Sequence, residues 1–249
     1  MNRLVRTELL KLRTTRTIVA GMCAAPAVAG IVTVAILGAA GRQGNDPLGP
    51  DSLLHVIGGP AAVINFIAVL LGVIGMAGEY RHQTVTTTFL ASPRRRDVVV
   101  AKLVAHSLTG ALMALLSLAV ATAIAVPWLH ASGVDVHLDG ESVRVAAGLI
   151  ASTALYGALG VSIGALIRNQ TTAAAVVLIW VLAVEGLIGD VVDDAAVVQW
   201  LPTAAGRALV HIGPSNDGLP VLAGAGIFAL YIAGFAAAAT RLTVNRDIT

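Results

Sequence analysis

Gly160-Val161-Ser162-Ile163-Gly164 has the Gly-x-Ser-x-Gly form of a nucleophile elbow, which would make Ser162 an acyl-transfer nucleophile. That motif needs a strand, a sharp turn and a helix, and its serine needs a histidine base. Here the motif sits in the middle of a long apolar run, and the only histidine inside such a run is His106. Two readings are open: a membrane-embedded serine hydrolase using Ser162, or a close helix contact through Gly160 and Gly164 at small-xxx-small spacing. The position in the run fits the contact better.

The remaining chemistry is sparse. His130, Asp135, His137, Asp139 and Glu141 have the donor types to hold a cation, but a short acidic loop with two histidines is more simply a solvated one. No His-Glu-x-x-His pair is present. The only lysines, Lys11 and Lys102, follow Leu10 and Ala101, so no phosphate-cradling loop ending in Gly-Lys-Ser/Thr exists. If ATP is used, another chain hydrolyses it. The single cysteine, Cys23, excludes an intramolecular disulfide and a thiolate metal cluster.

These residues are set in a chain that reads as lipid-soluble. Of its 249 residues 57% are hydrophobic and 12% charged, with a mean hydropathy of +0.84. A water-soluble chain carries about 25% charged residues, so the solvent for most of these side chains is lipid and the fold class is all-α and polytopic. Six transmembrane helices are expected, near 18–40, 57–77, 103–126, 145–167, 172–188 and 221–240. Pro127 and Trp128 are expected to close the third. Asn65 is the one strongly polar residue of the second, and Glu185 the one acid inside an apolar run. Both are candidates for the lining of a path across the membrane.

The first span is longer than the roughly 7–15 apolar residues of a cleavable signal, so it is expected to stay. Residues 1–17 form an imperfect amphipathic helix with Val5, Leu9 and Leu12 on one stripe and Leu4 and Leu10 off it, suited to the headgroup layer. Residues 18–249 make one six-span domain. Residues 189–220 are too apolar for a free loop yet broken by Pro202, Pro214 and Pro220, which suits short re-entrant or interfacial helices. Thirteen of the sixteen Lys and Arg fall on the side of the two termini, and Arg42, Arg144 and Arg207 on the other. The positive-inside rule therefore puts both termini in the cytoplasm of a cell that holds this chain in its inner (plasma) membrane.

The longest polar passage on that inner side is 79–102, with five of the basic residues. Ser92 and Pro93 have the form of a helix start, capping residue then first helical position. Arg94-Arg95-Arg96 at such a start opposes the helix dipole and calls for anionic headgroups or an acidic partner nearby. The passage reads as a docking segment for a soluble partner.

In these features the chain resembles the permease subunits of ATP-binding-cassette exporters of the six-span type. The resemblance rests on the basic N-terminal helix, the six spans, the acidic outer face, and Glu79, Arg81, Thr84, Leu90, Ser92, Pro93, Arg95, Ala101 and Lys102 in the 79–102 passage. Family members often carry Gly where this chain has Gln83. The resemblance implies that this passage couples to an ATPase through Glu79, Arg81, Thr84, Leu90, Ser92, Pro93, Arg95 and Lys102. It implies that the region after the fifth span, with Trp200 and Pro202, forms an outer gate. It further implies that ATP and Mg bind only in the partner, and that the working unit is two permease chains, alike or different, with two ATPase chains. Nucleic acid is not among the expected partners; membrane lipid is. A non-transporting membrane sensor or assembly subunit shares the topology and needs no ATPase.

Overall fold

The computed structural model describes residues 2–42, 47–49, 51–81, 95–191, 195–210 and 219–244. Among them all regular structure is helical. Helix α1 is Asn2–Thr14. After Thr15 comes α2, Arg16–Ala39. A short α3, Ser52–Gly58, ends at Gly59 and Pro60, and α4 runs Ala61–Arg81. Then come α5, Arg95–Ala131, and α6, Gly140–Ile167. Next is α7, Gln170–Ile179, continued by a π turn over Trp180–Val184 into α8, Glu185–Val191. Two short helices, α9 (Ala195–Val198) and α10 (Pro202–Val210), precede α11, Val221–Val244.

Five stretches are long and apolar enough to cross a bilayer: Arg16–Ala39, Ser52–Arg81, Arg96–Ala131, Gly140–Ile167 and Val221–Arg241. Each exceeds the roughly 20 residues that an approximately 30 Å hydrocarbon core requires. The segment expected as the fifth span, 172–188, lies within the 170–191 run, where the π turn replaces a single unbroken helix. Two expected boundaries move. Pro60, with no N–H to give, separates α3 from α4, so the long helix begins at Ala61 rather than Ile57. Pro127 does not close the third span; it lies inside α5, which continues to Ala131. One lost backbone bond is tolerated in a helix of 37 residues.

Helices α4 and α6 form the centre. The apolar stretch of α6 is 61% buried, against 17% for that of α11 at the periphery. The pairing depends on glycine. A Cβ on Gly160 would lie 2.9 Å from both the Val69 carbonyl carbon and the Val73 nitrogen, and one on Gly164 would lie 3.0 Å from the Val73 oxygen. Backbones thus meet directly, and apolar side chains such as Ile64, Val73 and Val161 fill the flanks with no exposure. Ser162 belongs to this same buried seam, its Oγ donating to the Ala158 carbonyl at 3.2 Å.

Helix α1 covers much of the N-terminal basic stretch; on it Leu12 is buried, Leu4, Val5 and Leu9 are half-buried, and Leu10 is exposed. At the other end of α6, Arg168 takes a left-handed conformation (φ 58°) as the helix cap, and Asn169 accepts the Thr172 N–H at 3.0 Å to start α7. The Arg168 guanidinium sits 6.0 Å from the centre of the Tyr80 ring, tying this return to the end of α4.

Candidate functional site

Two polar centres occupy opposite ends of the helical core. The first joins α1, α4 and α5. Lys102 is 2% exposed, and its Nζ donates to Glu8 Oε2 at 2.6 Å and to Glu79 Oε1 at 2.8 Å. Lys11 closes the quartet, donating to Glu8 Oε1 at 2.8 Å and to Glu79 Oε1 at 3.0 Å. Two ammonium groups face two carboxylates, so the charges cancel. That is the condition under which a buried ammonium is tolerable, since an unpaired one costs several kcal/mol or more.

The electrostatics track the geometry. Burial alone would raise the Glu8 carboxyl, but the Lys102 charge and the hydrogen bonds from Lys102 and Lys11 hold it below the ordinary carboxylate range. Burial likewise would lower Lys11, and its hydrogen bonds to Glu8 and Glu79 more than offset this, so its ammonium is held above the usual lysine value.

Of the residues expected to couple to an ATPase, Glu79 and Lys102 are in this quartet. Buried Ala101 precedes Lys102, Arg81 is exposed at the end of α4, and Arg95 opens α5. Thr84, Leu90, Ser92 and Pro93 lie outside the described residues. Sequence reasoning missed Glu8 and Lys11. Their signal was there to find: Glu8 is the only acid in a basic stretch of seventeen residues, one turn before the buried Leu12.

The second centre is a cavity of about 640 Å³ between α3, α4, α6, the π turn and α10, lined by Asn65, Phe66, Tyr156, Glu185 and Arg207 among others. Asn65 is fixed from α6: its Oδ1 accepts from Thr153 Oγ1 at 2.8 Å, and its Nδ2 donates to Ser152 Oγ at 3.3 Å. Glu185 is 7% exposed. Its Oε1 accepts the Trp180 indole N–H at 2.5 Å, while Oε2 is buried without a well-formed hydrogen bond. The Thr203 backbone and the Arg207 guanidinium act on the same carboxyl. Tyr156 stacks edge-on against Phe228, centroids 4.7 Å apart, and its hydroxyl donates to the Pro202 carbonyl at 3.3 Å. Trp200 is exposed, and its carbonyl accepts from the Tyr231 hydroxyl at 2.9 Å.

Asn65 and Glu185, far apart in sequence, therefore share one cavity, and Pro202 and Trp200 brace the helices that form its wall. Tyr156, Arg207 and the Ser152–Thr153 pair are additions that hydropathy patterns do not single out.

The other chemical candidates do not assemble. His106 Nδ1 donates to the Lys102 carbonyl in its own helix at 3.0 Å, and its Nε2 abuts Gly75, so no described hydrogen bond joins it to Ser162. Among the described residues no group of three or more His, Cys, Asp or Glu is placed to hold a metal. In the loop before α6 Asp139 instead caps that helix, accepting the Ser142 N–H at 2.8 Å and its hydroxyl at 2.7 Å. Those two bonds hold its carboxyl below the ordinary range.

A search of curated proteins finds no match to this chain. The family model described as ABC-2 family transporter protein, however, matches residues 56–204, which is more than half of the chain and contains α4, α5, α6 and most of the cavity wall. An apolar helical body, a cavity in its core and this match lead to one conclusion: the chain belongs to the ABC-2 transporter family, as a multi-pass permease subunit of an ABC transporter.

Proposed function

We propose that this permease subunit exports its substrate, driven by a separate cytoplasmic ATPase that docks on residues 79–97. Two ATPase chains bind the ATP and Mg, and two permease chains enclose the path. The unit sits in the plasma membrane with both termini in the cytoplasm, the side favoured by thirteen of the sixteen basic residues. Substrate passes the cavity lined by Asn65 and Glu185, beneath a gate built around Trp200 and Pro202.

The quartet is the observation that carries the reading. Glu79 lies in the last turn of α4 and Lys102 near the start of α5, so they bracket the passage that reads as the docking segment. Their shared contacts with Glu8 and Lys11 tie both brackets to α1. A partner that displaces the passage then moves α4, α5 and α1 together, and mechanical work enters the core through two helices at once. Glu79 and Lys102 hold the frame; Arg81, Thr84, Leu90, Ser92, Pro93 and Arg95 present the docking face.

The test is co-expression with an ABC ATPase, comparing the native chain with Arg81→Glu/Arg95→Glu. Retention of the ATPase through purification should drop about tenfold, the loss of about 1.4 kcal/mol expected when two rim charges are reversed, with the thermal midpoint of the permease unchanged. Undiminished association and transport would remove these residues from the role.

A further inference from the structure

A groove of about 810 Å³ runs between α1, α2 and α5, open to the outside of the helical body. Its lining is mostly apolar: half-buried Leu9 from α1 and Met22 from α2, and exposed Leu108, Leu112 and Leu116 from α5. Arg6 and Arg13 stand at its α1 end, two helical turns apart and so on one side of that helix. Both are exposed, and neither has a carboxylate partner among the described residues. The acid that α1 carries, Glu8, is engaged by Lys102 and Lys11. No acidic residue lines the groove.

We propose that this groove binds one anionic phospholipid, its phosphate held between Arg6 and Arg13 and an acyl chain laid along the α5 leucines. The dimensions suit it. From Leu108 to Leu116 the helix runs about 12 Å at 1.5 Å per residue, and the cations lie on the helix that precedes the first long apolar one. Two unpaired guanidinium groups with no neighbouring acid attract a net negative headgroup and repel the quaternary ammonium of a zwitterionic one. Guanidinium is also the side chain whose planar fork suits a phosphate.

The test uses the full chain in nanodiscs of equal phosphatidylglycerol and phosphatidylcholine, with native mass spectrometry of the released protein as the readout. One phosphatidylglycerol should be retained in excess over phosphatidylcholine. Arg6→Gln/Arg13→Gln should weaken its retention about thirtyfold, at about tenfold per 1.4 kcal/mol and about 1 kcal/mol per arginine. Arg3→Gln/Arg16→Gln removes the same charge from outside the groove and should leave retention unchanged. Where the first double variant lowers the thermal midpoint, Leu112→Trp serves instead: it fills the groove with both arginines intact and should expel the lipid. Equal retention of the two lipids, or equal loss in the outlying pair, overturns the proposal. So does a disulfide that forms in high yield between Cys23 of two copies, because Cys23 lines the groove and such a bond means that a second chain covers it.

Discussion

Lys102 shows what a buried cation demands. Its ammonium has two carboxylates within 2.8 Å and almost no water. Lys102→Met should destabilise the chain by about 3–5 kcal/mol, because it leaves two carboxylates without their shared partner; thermal unfolding in detergent reads this directly. Adding Glu8→Gln should restore part of the loss, since Lys11 still pairs with Glu79 at 3.0 Å. The pH dependence has a defined sign on each side. The Glu8 carboxyl is lowered from its ordinary 4.5, so its contribution is present above that value and lost as pH falls through the lowered one. Lys11 is raised from 10.5, so its contribution is present below that value and lost as pH rises through the raised one. A spin-label distance between α1 and α5 should therefore stay constant from about pH 5 to 10 and lengthen outside that window. A lengthening at neutral pH would contradict the pairing.

At the scale of elements, the α4–α6 seam is where sequence and structure agree most closely. Gly160 and Gly164 at four-residue spacing suggested a helix contact, and both face the α4 backbone. Gly160→Leu should separate the two helices, with a cost of about 3 kcal/mol or more, seen as a lower thermal midpoint and lost α4–α6 cross-linking; a neutral result would mean the seam is looser than its geometry. The long apolar runs were legible because hydrocarbon demands about 20 of them in sequence. The ends were less so. Proline is a strong stop signal in water, yet Pro127, exposed on α5, is carried inside that helix, as membrane helices tolerate. The π turn at Trp180–Val184 left no mark in the hydropathy either. It adds a residue to one turn and so rotates α8 by about 100° relative to α7, and Glu185 is the first residue after it.

At the scale of the molecule, pairing across distance is what the sequence conceals. Glu8 and Lys102 are 94 residues apart, and Asn65 and Ser152 are 87 apart; no local period connects them. Each polar residue was visible alone as an oddity in its apolar surroundings. Which oddities met was decided by the packing of α1 against α5 and of α6 against α4.

One helix reaches both centres. From Asn65 in the cavity to Glu79 in the quartet, α4 is continuous and free of proline, a rod of about 21 Å at 1.5 Å per residue. A helix shared by two sites can link their occupancies, and such linkage has no preferred direction. Whatever factor ATPase docking applies to the affinity of a molecule in the cavity, that molecule must return to the affinity of the ATPase. Titrating each in the presence and absence of the other should yield one and the same ratio, and a ratio of unity would mean that the rod carries nothing.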